Sequence, residues 1–375
     1  MFQEVKACKL ITDWLESRGW EIERAAYGLD TAFEAKFSVR KGGRTVCFNA
    51  EYDALPGIGH GCGHNLIATA SLASAVGVSA ALNNYNLPGT VILMGTPAEE
   101  TGGGKYIMAN NGAWKNVDVC MMTHGMPDFS TPLCVTKASW KFRAQFHGKS
   151  SHAAAAPWDG LNACDAIVMA YNGLSLLRQQ IEKSDSIQGV IISAGKAPNI
   201  IPDYAEGSYS LRSTNSPKLE ALRKRVIPVF EGAASATGCT VKLFWDALYE
   251  DVVTNRSLAN RYRNYMINKL GMKAEDMLPL DEAERKYTQN GSSDMGNCTY
   301  IAPGIQAMFA INAADMPHTK LFCDAAGLDF AHQEAIRAGK ANAFVGIDVL
   351  FDDKFFQAVK VEWEQAMKKA GRIEV

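Results

Sequence analysis

The first third of the chain alternates short β-rich runs with longer helical patterns. Residues 45–53, 90–100 and 117–124 form three runs of apolar and β-branched residues, and a helical pattern at 65–82 separates the first two runs. Such alternation predicts stacked β-α-β units, because parallel strands are joined by long crossovers that are usually helices. We therefore expect an α/β fold with a sheet flanked by helices.

Residues capable of chemistry stand at or just after the ends of these three runs. Asp53 closes the first run, Glu99 and Glu100 close the second, and His124 closes the third. Open α/β sheets bind their ligands outside the carboxyl ends of their strands. We therefore expect the active site at that edge of the sheet.

The pattern changes from about residue 135. Strand, helix, strand, strand, helix and strand follow one another up to residue 245, which is the order of an α+β sandwich that can close on itself. We predict a catalytic domain of residues 1–133 and 247–375, interrupted by a lid domain of residues 134–246. The return after the lid brings His318 back to the first sheet.

Charge and composition exclude several kinds of partner. The chain has 38 Lys plus Arg against 40 Asp plus Glu, so its formal charge is -2 and it offers no basic field for nucleic acid or an anionic membrane. The N-terminal segment is amphipathic and does not resemble a signal peptide. Its predicted apolar stripe consists of Val5, Leu10, Ile11, Trp14 and Leu15. We expect no membrane-spanning segment, because no apolar stretch is expected to approach the roughly 18 uncharged residues that a membrane span needs.

The nine cysteines are odd in number and lack the spacing of a small disulfide scaffold. They are more simply interpreted as reduced residues, most of them in the core, in a reducing compartment. We therefore expect a cytoplasmic protein that acts on a small molecule.

The segment GHGCGHNLI places Cys62 and His64 one residue apart. Gly61 and Gly63 allow the backbone to bend so that both side chains converge on one point, as metal ligands must. Two other interpretations of this segment stay open: a buried thiol beside a helix cap, and a cysteine nucleophile paired with a histidine. Residues so close together are better placed to share a metal than to transfer a proton.

Glu99 and Glu100 follow a strand that could be buried. Two neighbouring carboxylates repel each other and are costly to bury unless a cation lies between them or one of them holds a proton. The alternative is that a helix N-terminus attracts them. The following GGGK is not a phosphate loop, because Tyr106 stands where Ser or Thr should bind magnesium. His124 and His318, taken singly, could be structural histidines.

Seven ordered segments together resemble one known group of hydrolases. They resemble the amidohydrolase branch of the aminoacylase-1 and carboxypeptidase G superfamily, and within it the aminoacylase-1-like group called peptidase M-twenty domain-containing protein two, relatives of aminobenzoyl-glutamate hydrolase. The segments, which extend over nearly the whole chain, are EYDALPGIGHGCGHN, GTPAEETGGGK, THGMPD, HGKSSHAAAAPWDGLNA, NIIPDYAEGSYSLR, GSSDMGN and PHTKLFCDAAG.

The resemblance implies a zinc-peptidase-like catalytic domain with a mixed sheet, a lid that also forms a homodimer, and two divalent metal ions. Cys62 would bridge the metals in place of the aspartate of other branches. His64 and His124 would complete one metal site, and Glu100 and His318 the other. We expect zinc, with manganese or cobalt as alternatives. The resemblance also implies a further helix ahead of the region where this chain begins.

Further roles follow from the same resemblance. Glu99 would be the general base, and Asp53 would orient a histidine ligand. His152 would reach the partner subunit's cleft and stabilise the developing oxyanion. Asn199 and Arg212 would bind the substrate carboxylate. Two of these residues have a simpler interpretation, His152 as a surface residue of the lid and Arg212 as part of a salt bridge.

The resulting expectation is a metal-dependent amidohydrolase or dipeptidase. Its substrate would be a dipeptide-like or N-acyl amino acid, with β-alanyl or γ-aminobutyryl conjugates of basic amino acids as the first class to test. Two alternatives remain: a hydrolase of an N-acyl amino acid from secondary metabolism, and a silent metal-binding homologue. Retention of Glu99 beside five ligands argues against the silent protein, because a binding protein needs no base.

Overall fold

The structure is a computed structural model that describes residues 2–286 and 291–373. It divides into two compact units. Unit 1 comprises Met1–Thr136 and Asp251–Val375, and unit 2 comprises Lys137–Glu250. The limits expected from the sequence were 134 and 246.

Unit 1 is built on a six-stranded sheet in the order β1-β2-β4-β3-β5-β12. Its strands are β1 Glu21–Arg24, β2 Phe33–Ser38, β3 Arg40–Ala50, β4 Pro88–Gly95, β5 Val119–Met126 and β12 Gly304–Ala310. The pairs β4-β3, β3-β5 and β5-β12 are parallel, whereas β1-β2 and β2-β4 are antiparallel. The predicted α/β fold with a mixed sheet is confirmed.

Helices cover this sheet. They are α1 Val5–Glu16, α2 His64–Tyr85, α3 Gly104–Asn110, α6 Arg256–Asn268, α7 Leu280–Lys286, α8 Met295–Thr299, α9 Lys320–Ala326, α10 Asp329–Phe351 and α11 Asp353–Lys369. The central strands read as continuous apolar runs, as in Val91–Met94 of β4, because they are buried on both faces.

Helix α2 corrects one expectation from the sequence. It is long and apolar enough to cross a membrane by length and composition, which we had not expected of any segment. Half of its apolar window is buried inside the protein, and it packs against α10 through small residues. A Cβ added at Gly339 would lie 2.4 Å from the carbonyl oxygen of Ala70. The helix is apolar because it lies between a sheet and another helix.

Helix α1 corrects another expectation. Its buried residues are Cys8, Thr12 and Leu15, which recur at the spacing of one helical face. Val5 and Leu10 are 61% and 71% exposed. The predicted stripe is therefore correct for Leu15 but wrong for Val5 and Leu10, which lie outside the face that packs on β1 and β2.

Unit 2 is an antiparallel four-stranded sheet in the order β11-β6-β10-β8 with two packed helices. Its elements are β6 Ala138–His147, β7 Ser151–His152, α4 Ala163–Leu177, β8 Ser186–Ser193, β9 Ile200–Ile201, β10 Tyr204–Ser213, α5 Ser216–Thr237 and β11 Thr240–Tyr249. The short strands β7 and β9 pair with each other. The long elements follow the order expected from the sequence, and their apolar faces form a separate core.

Candidate active site and metal centre

The candidate site lies where β4, β3 and β5 end. These three strands are parallel neighbours, so their carboxyl ends meet at one edge of the sheet. Asp53 follows β3, Glu99 and Glu100 follow β4, and His124 lies in β5. The structure brings these four residues together with Cys62, His64 and His318, which come from other segments of unit 1.

A glycine-flanked turn carries Cys62 and His64. Gly63 has a φ of +80° and forms the N-terminal cap of α2, and His64 is the first residue of that helix. The turn directs the Cys62 thiol toward the His124 imidazole, with 3.6 Å between Sγ and Nε2. His124 Nδ1 lies 2.7 Å from the carbonyl oxygen of Gly125, and donation there leaves Nε2 as an acceptor facing the thiol.

His64 is buried and has carboxylates near both of its ring nitrogens. Its Nδ1 lies 3.0 Å from Oδ1 of Asp53, which fixes the ring. Its Nε2 points the other way and lies 3.8 Å from Oε1 of Glu100 and 3.9 Å from Oε2 of Glu99. His64 therefore has the arrangement of a metal ligand held by an outer carboxylate.

Strained backbone presents the remaining groups. Ala98, directly before the two glutamates, has a φ of 59°, and the Glu100 N–H donates to Oδ2 of Asp53 at 3.1 Å. His318 has a φ of 74°, and its N–H donates to the carbonyl oxygen of Gly61 at 2.7 Å. The His318 side chain is 57% exposed, and its Nε2 lies 3.2 Å from Oε2 of Glu100. Such strain in non-glycine residues is concentrated at functional sites.

Among the residues that the structure describes, three overlapping groups of potential metal ligands result. Their donor atoms all lie within 4.8 Å of one another in each group. The groups are Cys62, His64 and His124; Cys62, Glu100 and His318; and His64, Glu99 and Glu100. Cys62 belongs to two of them, so one thiolate could contact two cations.

Two buried atoms support occupation by metal. His64 Nε2 and Glu100 Oε1 are buried, lie 3.8 Å apart and have no hydrogen-bond partner within the described part of the chain. Buried polar atoms are normally satisfied, so this facing pair needs a cation or a proton between the two atoms. Thiolate, imidazole and carboxylate donors together fit zinc and its neighbours in the first transition series.

The electrostatics of the protein without metal are those of a site that needs cations. Burial raises the pKa of the Cys62 thiol to about 12. Burial, with the charge of His64, lowers the pKa of His124 to about 4. Burial, with the charges of Glu51 and Asp294, raises the pKa of Glu99 well above its ordinary value. Cations at the site would reverse the penalty on the thiolate and the carboxylate.

Three buried charged residues near the site were missed in the sequence. Lys105 Nζ lies 2.5 Å from Oε1 of Glu51 and 2.6 Å from Oδ1 of Asp294. Burial opposes the charge of Lys105, but the two carboxylates raise its pKa well above its ordinary value. A signal was available, because Glu51 stands two residues before Asp53 at a strand end and Lys105 follows the glycine run.

The other predicted site residues lie in unit 2. His152 and Asn199 are exposed neighbours in β7 and just before β9, where the Ala153 N–H donates to the carbonyl oxygen of Asn199. The N–H groups of Ala154 and Ala155 both approach Nδ1 of His152, at 3.2 and 3.1 Å.

Because Nδ1 accepts these bonds, the proton of a neutral His152 is assigned to Nε2, which can donate. Arg212 is half-buried in β10, between Ser139 of β6 and Ser186 of β8 in register.

Known proteins resemble this chain over nearly its whole length. Residues 135–236 match the model of a family described as a peptidase dimerisation domain. The Xaa-Arg dipeptidase of Mus musculus is 38% identical over 97% of this chain and 85% of its own length. One of the subunits of the p-aminobenzoyl-glutamate hydrolase of Escherichia coli is 33% identical over 69% of this chain and 57% of its own length.

A solved structure shows the same fold. The YXEP protein of Bacillus subtilis, described as a dinuclear metal-binding peptidase from the M20 family, superposes with a TM-score of 0.67 at 22% identity. The match covers 93% of this chain and 94% of that protein. With the identity to the dipeptidase and with the ligand groups in unit 1, this agreement leads to one conclusion. The chain belongs to the M20 family of metal-dependent peptidases and amidohydrolases, and it is a hydrolase of peptide or amide bonds.

Proposed function

We propose that the protein is a two-metal dipeptidase that cleaves the amide bond before a basic, C-terminal amino acid. The observation that carries the proposal is the convergence of Cys62, His64, Glu100, His124 and His318 in overlapping ligand groups, with Glu99 beside His64 and Glu100. Two divalent cations held there would polarise the scissile carbonyl and lower the pKa of a water molecule. Of the candidate metals, we favour zinc for this donor set.

Glu99 is the proposed general base. Its Oε2 lies 3.9 Å from His64 Nε2, so it borders the ligand cluster without being one of the five proposed ligands. A carboxylate in that place takes a proton from the attacking water and delivers it to the leaving amine. Burial and neighbouring carboxylates favour the protonated form of Glu99, which suits the second half of this task.

Asp53 holds one proposed ligand of each metal site, His64 and Glu100. Its carboxylate holds the His64 ring through Nδ1 and accepts the N–H of Glu100 with its second oxygen. One buried carboxylate therefore positions a ligand from α2 and a ligand from the turn after β4. We propose that Asp53 acts on the reaction through these two residues.

The substrate class is inferred from the relatives. One is named for cleaving before arginine, and another for cleaving p-aminobenzoyl-glutamate. Both names describe a leaving group that is an amino acid with a free carboxylate. The identity is higher and the coverage wider for the Xaa-Arg dipeptidase, so we favour β-alanyl and γ-aminobutyryl conjugates of arginine or lysine.

Unit 2 supplies further proposed substrate contacts. His152 Nε2–H is a suitable donor for a developing oxyanion, and Asn199 lies beside it. Arg212 lies at the opposite end of β10 from this pair, a separation of roughly 26 Å of extended strand. One substrate molecule cannot contact both ends of that strand, so His152 and Arg212 of the same copy would not share a substrate. Together with the match of residues 135–236 to a peptidase dimerisation domain, this supports the proposal of a homodimer.

We also propose that the protein acts in the cytoplasm. Its nine cysteines, all within the described residues, carry free thiols, and six of them are buried. A protein that depends on the Cys62 thiolate as a ligand would lose function by oxidation, so a reducing compartment suits it.

A substrate panel tests the proposed class. Metal-reconstituted protein is assayed with β-alanyl-arginine, β-alanyl-lysine, γ-aminobutyryl-arginine, N-acetyl-arginine and p-aminobenzoyl-glutamate, with β-alanyl-glutamate as the charge-reversed control. We expect the β-alanyl and γ-aminobutyryl conjugates of basic residues to have the highest kcat/KM. Preference for β-alanyl-glutamate or p-aminobenzoyl-glutamate would contradict the basic leaving group, and preference for N-acetyl-arginine would contradict the dipeptide.

A further inference from the structure

Lys105 joins three separate segments of unit 1 next to the metal-ligand cluster. Its Nζ lies 2.5 Å from Oε1 of Glu51, just after β3, and 2.6 Å from Oδ1 of Asp294, just before α8. The Lys105 backbone N–H also donates to Oδ2 of Asp294 at 2.9 Å. All three side chains are at most 1% exposed. One lysine therefore fixes β3, α3 and the segment before α8 relative to one another.

This ion triad of Glu51, Lys105 and Asp294 reaches the site through Glu51. The second oxygen of Glu51, Oε2, lies 3.5 Å from Nε2 of His64. That nitrogen is the one left for a metal, because Nδ1 faces Asp53. Lys105 thus holds one oxygen of Glu51 while the other oxygen faces a ligand atom.

The triad also reaches the site through the chain. Lys105 is in the first turn of α3, five residues after Glu100. The turn between them is tightly closed, since a Cβ added at Gly104 would lie 1.8 Å from the carbonyl oxygen of Pro97. Anchoring Lys105 therefore restricts where Glu99 and Glu100 can lie.

Stability alone does not explain such a network. Burying a lysine and two carboxylates is costly, and apolar side chains of similar volume often replace a buried ion network without loss. Glu51 of the triad lies beside Nε2 of His64, and Lys105 directly follows the turn that carries Glu99. The two carboxylates that pair with Lys105, Glu51 and Asp294, are neither among the five proposed ligands nor the proposed base.

We propose that Lys105 is a positioning residue for the hydrolytic reaction. By bridging Glu51 and Asp294, it holds Glu51 against His64 and holds the turn with Glu99 and Glu100 in the arrangement that binds the metals. The inference rests on the proposed metal-dependent function. In this role Lys105 does not need to contact the substrate.

The test compares Lys105→Met with the double variant Lys105→Met/Asp294→Asn. The single variant leaves two buried carboxylates without their cation and can fail to fold. The double variant removes one positive and one negative charge together, so the net charge of the triad stays the same. Lys9→Met is the control, because Lys9 is 72% exposed and pairs with Asp13 on the surface of α1.

Two properties are measured on each folded protein loaded with zinc: the rate of metal loss to a chelator, and kcat and KM separately. For the double variant we expect metal loss to be faster and kcat to be lower, each by about tenfold or more, as for other outer partners of metal ligands. KM should change by less than about threefold, because Lys105 does not touch the substrate. Lys9→Met should match wild type.

A double variant with wild-type metal retention and wild-type kcat would show that Lys105 only supports the fold, and would overturn the inference. A loss confined to KM would overturn it as well. If the wild type itself bound no metal, the proposed function would fail and this inference with it. If the wild type binds metal and hydrolyses its substrate but the double variant is unaffected, the proposed function stands and only this inference is refuted.

Discussion

Asp53→Asn is the substitution that most directly probes how the site is held. The Asp53 carboxylate is 3% exposed and lies 3.0 Å from Nδ1 of His64 and 3.1 Å from the N–H of Glu100. Burial opposes its ionisation, but the hydrogen bond and charge of His64 lower its pKa from 3.8 to about 2. A shift of this size corresponds to about 2 kcal/mol in favour of the ionised, folded form.

Asparagine has the same shape but one carbonyl oxygen and one amide group. Its carbonyl oxygen can accept the hydrogen bond of His64 or that of the Glu100 N–H, but not both. The remaining donor would then face the amide group of the asparagine, which is also a donor. We therefore expect the metal-free Asp53→Asn variant to lose about 2 kcal/mol in its free energy of unfolding at pH 7. Its affinity for metal should fall by about 10- to 100-fold, since the carboxylate no longer orients His64.

Urea unfolding of the metal-free proteins and competition with a chelator measure these two effects. Because the folded-state pKa of Asp53 lies below the unfolded value, its contribution is present above about pH 4 and is lost as the pH falls toward about 2. The difference in stability should therefore disappear over that window. Asp276→Asn, at an exposed position in unit 1, is the control. Wild-type metal affinity in Asp53→Asn would refute the reasoning.

Three further predictions follow from the geometry. In metal-free protein at pH 8, Cys62 should react with iodoacetamide about 10³-fold more slowly than an ordinary thiol, because its pKa is about 12, and equal reactivity would contradict its burial. The pKa of His124 is about 4 instead of 6.5, so the metal-free protein should lose about 3 kcal/mol of its free energy of unfolding as the pH falls from 6.5 to 4. Urea unfolding of His124→Gln should therefore show a smaller change of stability with pH. Gly104→Ala would place a Cβ 1.8 Å from a backbone oxygen, so activity and melting temperature should both fall, by about 1–3 kcal/mol in stability. Gly232→Ala, with open space around the added Cβ in α5, should leave stability unchanged or raise it.

The position of the site could be predicted from local patterns. Asp53, Glu99 and His124 follow or close apolar runs, and parallel strands bring their carboxyl ends to one edge of the sheet. The turn at Gly61 and Gly63 also indicated convergence of Cys62 and His64. The role of His318 as a metal ligand came from the family resemblance, because the return of the chain to the first sheet did not by itself connect His318 with the other ligands.

The ion triad could not be predicted in the same way. Lys105 pairs with Glu51 and Asp294 at separations of 54 and 189 residues, and a charged residue is ordinarily assigned to the surface. The prediction for α2 was wrong for a related reason. Its uncharged residues form one continuous segment that is long and apolar enough to cross a membrane. The burial of the ion triad and that of α2 both depend on neighbours distant in sequence, such as α10 in the case of α2.

The central claim is that Glu99 acts as the base of a metal-dependent hydrolysis. Glu99→Gln is compared with wild type and with the exposed control Glu275→Gln, with bound metal and the rate of hydrolysis of β-alanyl-arginine, or of the best substrate in the panel, measured on the same samples. We expect Glu99→Gln to keep the metal content of wild type and to lose about 10²- to 10⁴-fold in kcat, as for removal of a general base. If Glu99→Gln kept its activity, or lost activity together with its metal, Glu99 would not be the base, and the proposed mechanism would be wrong.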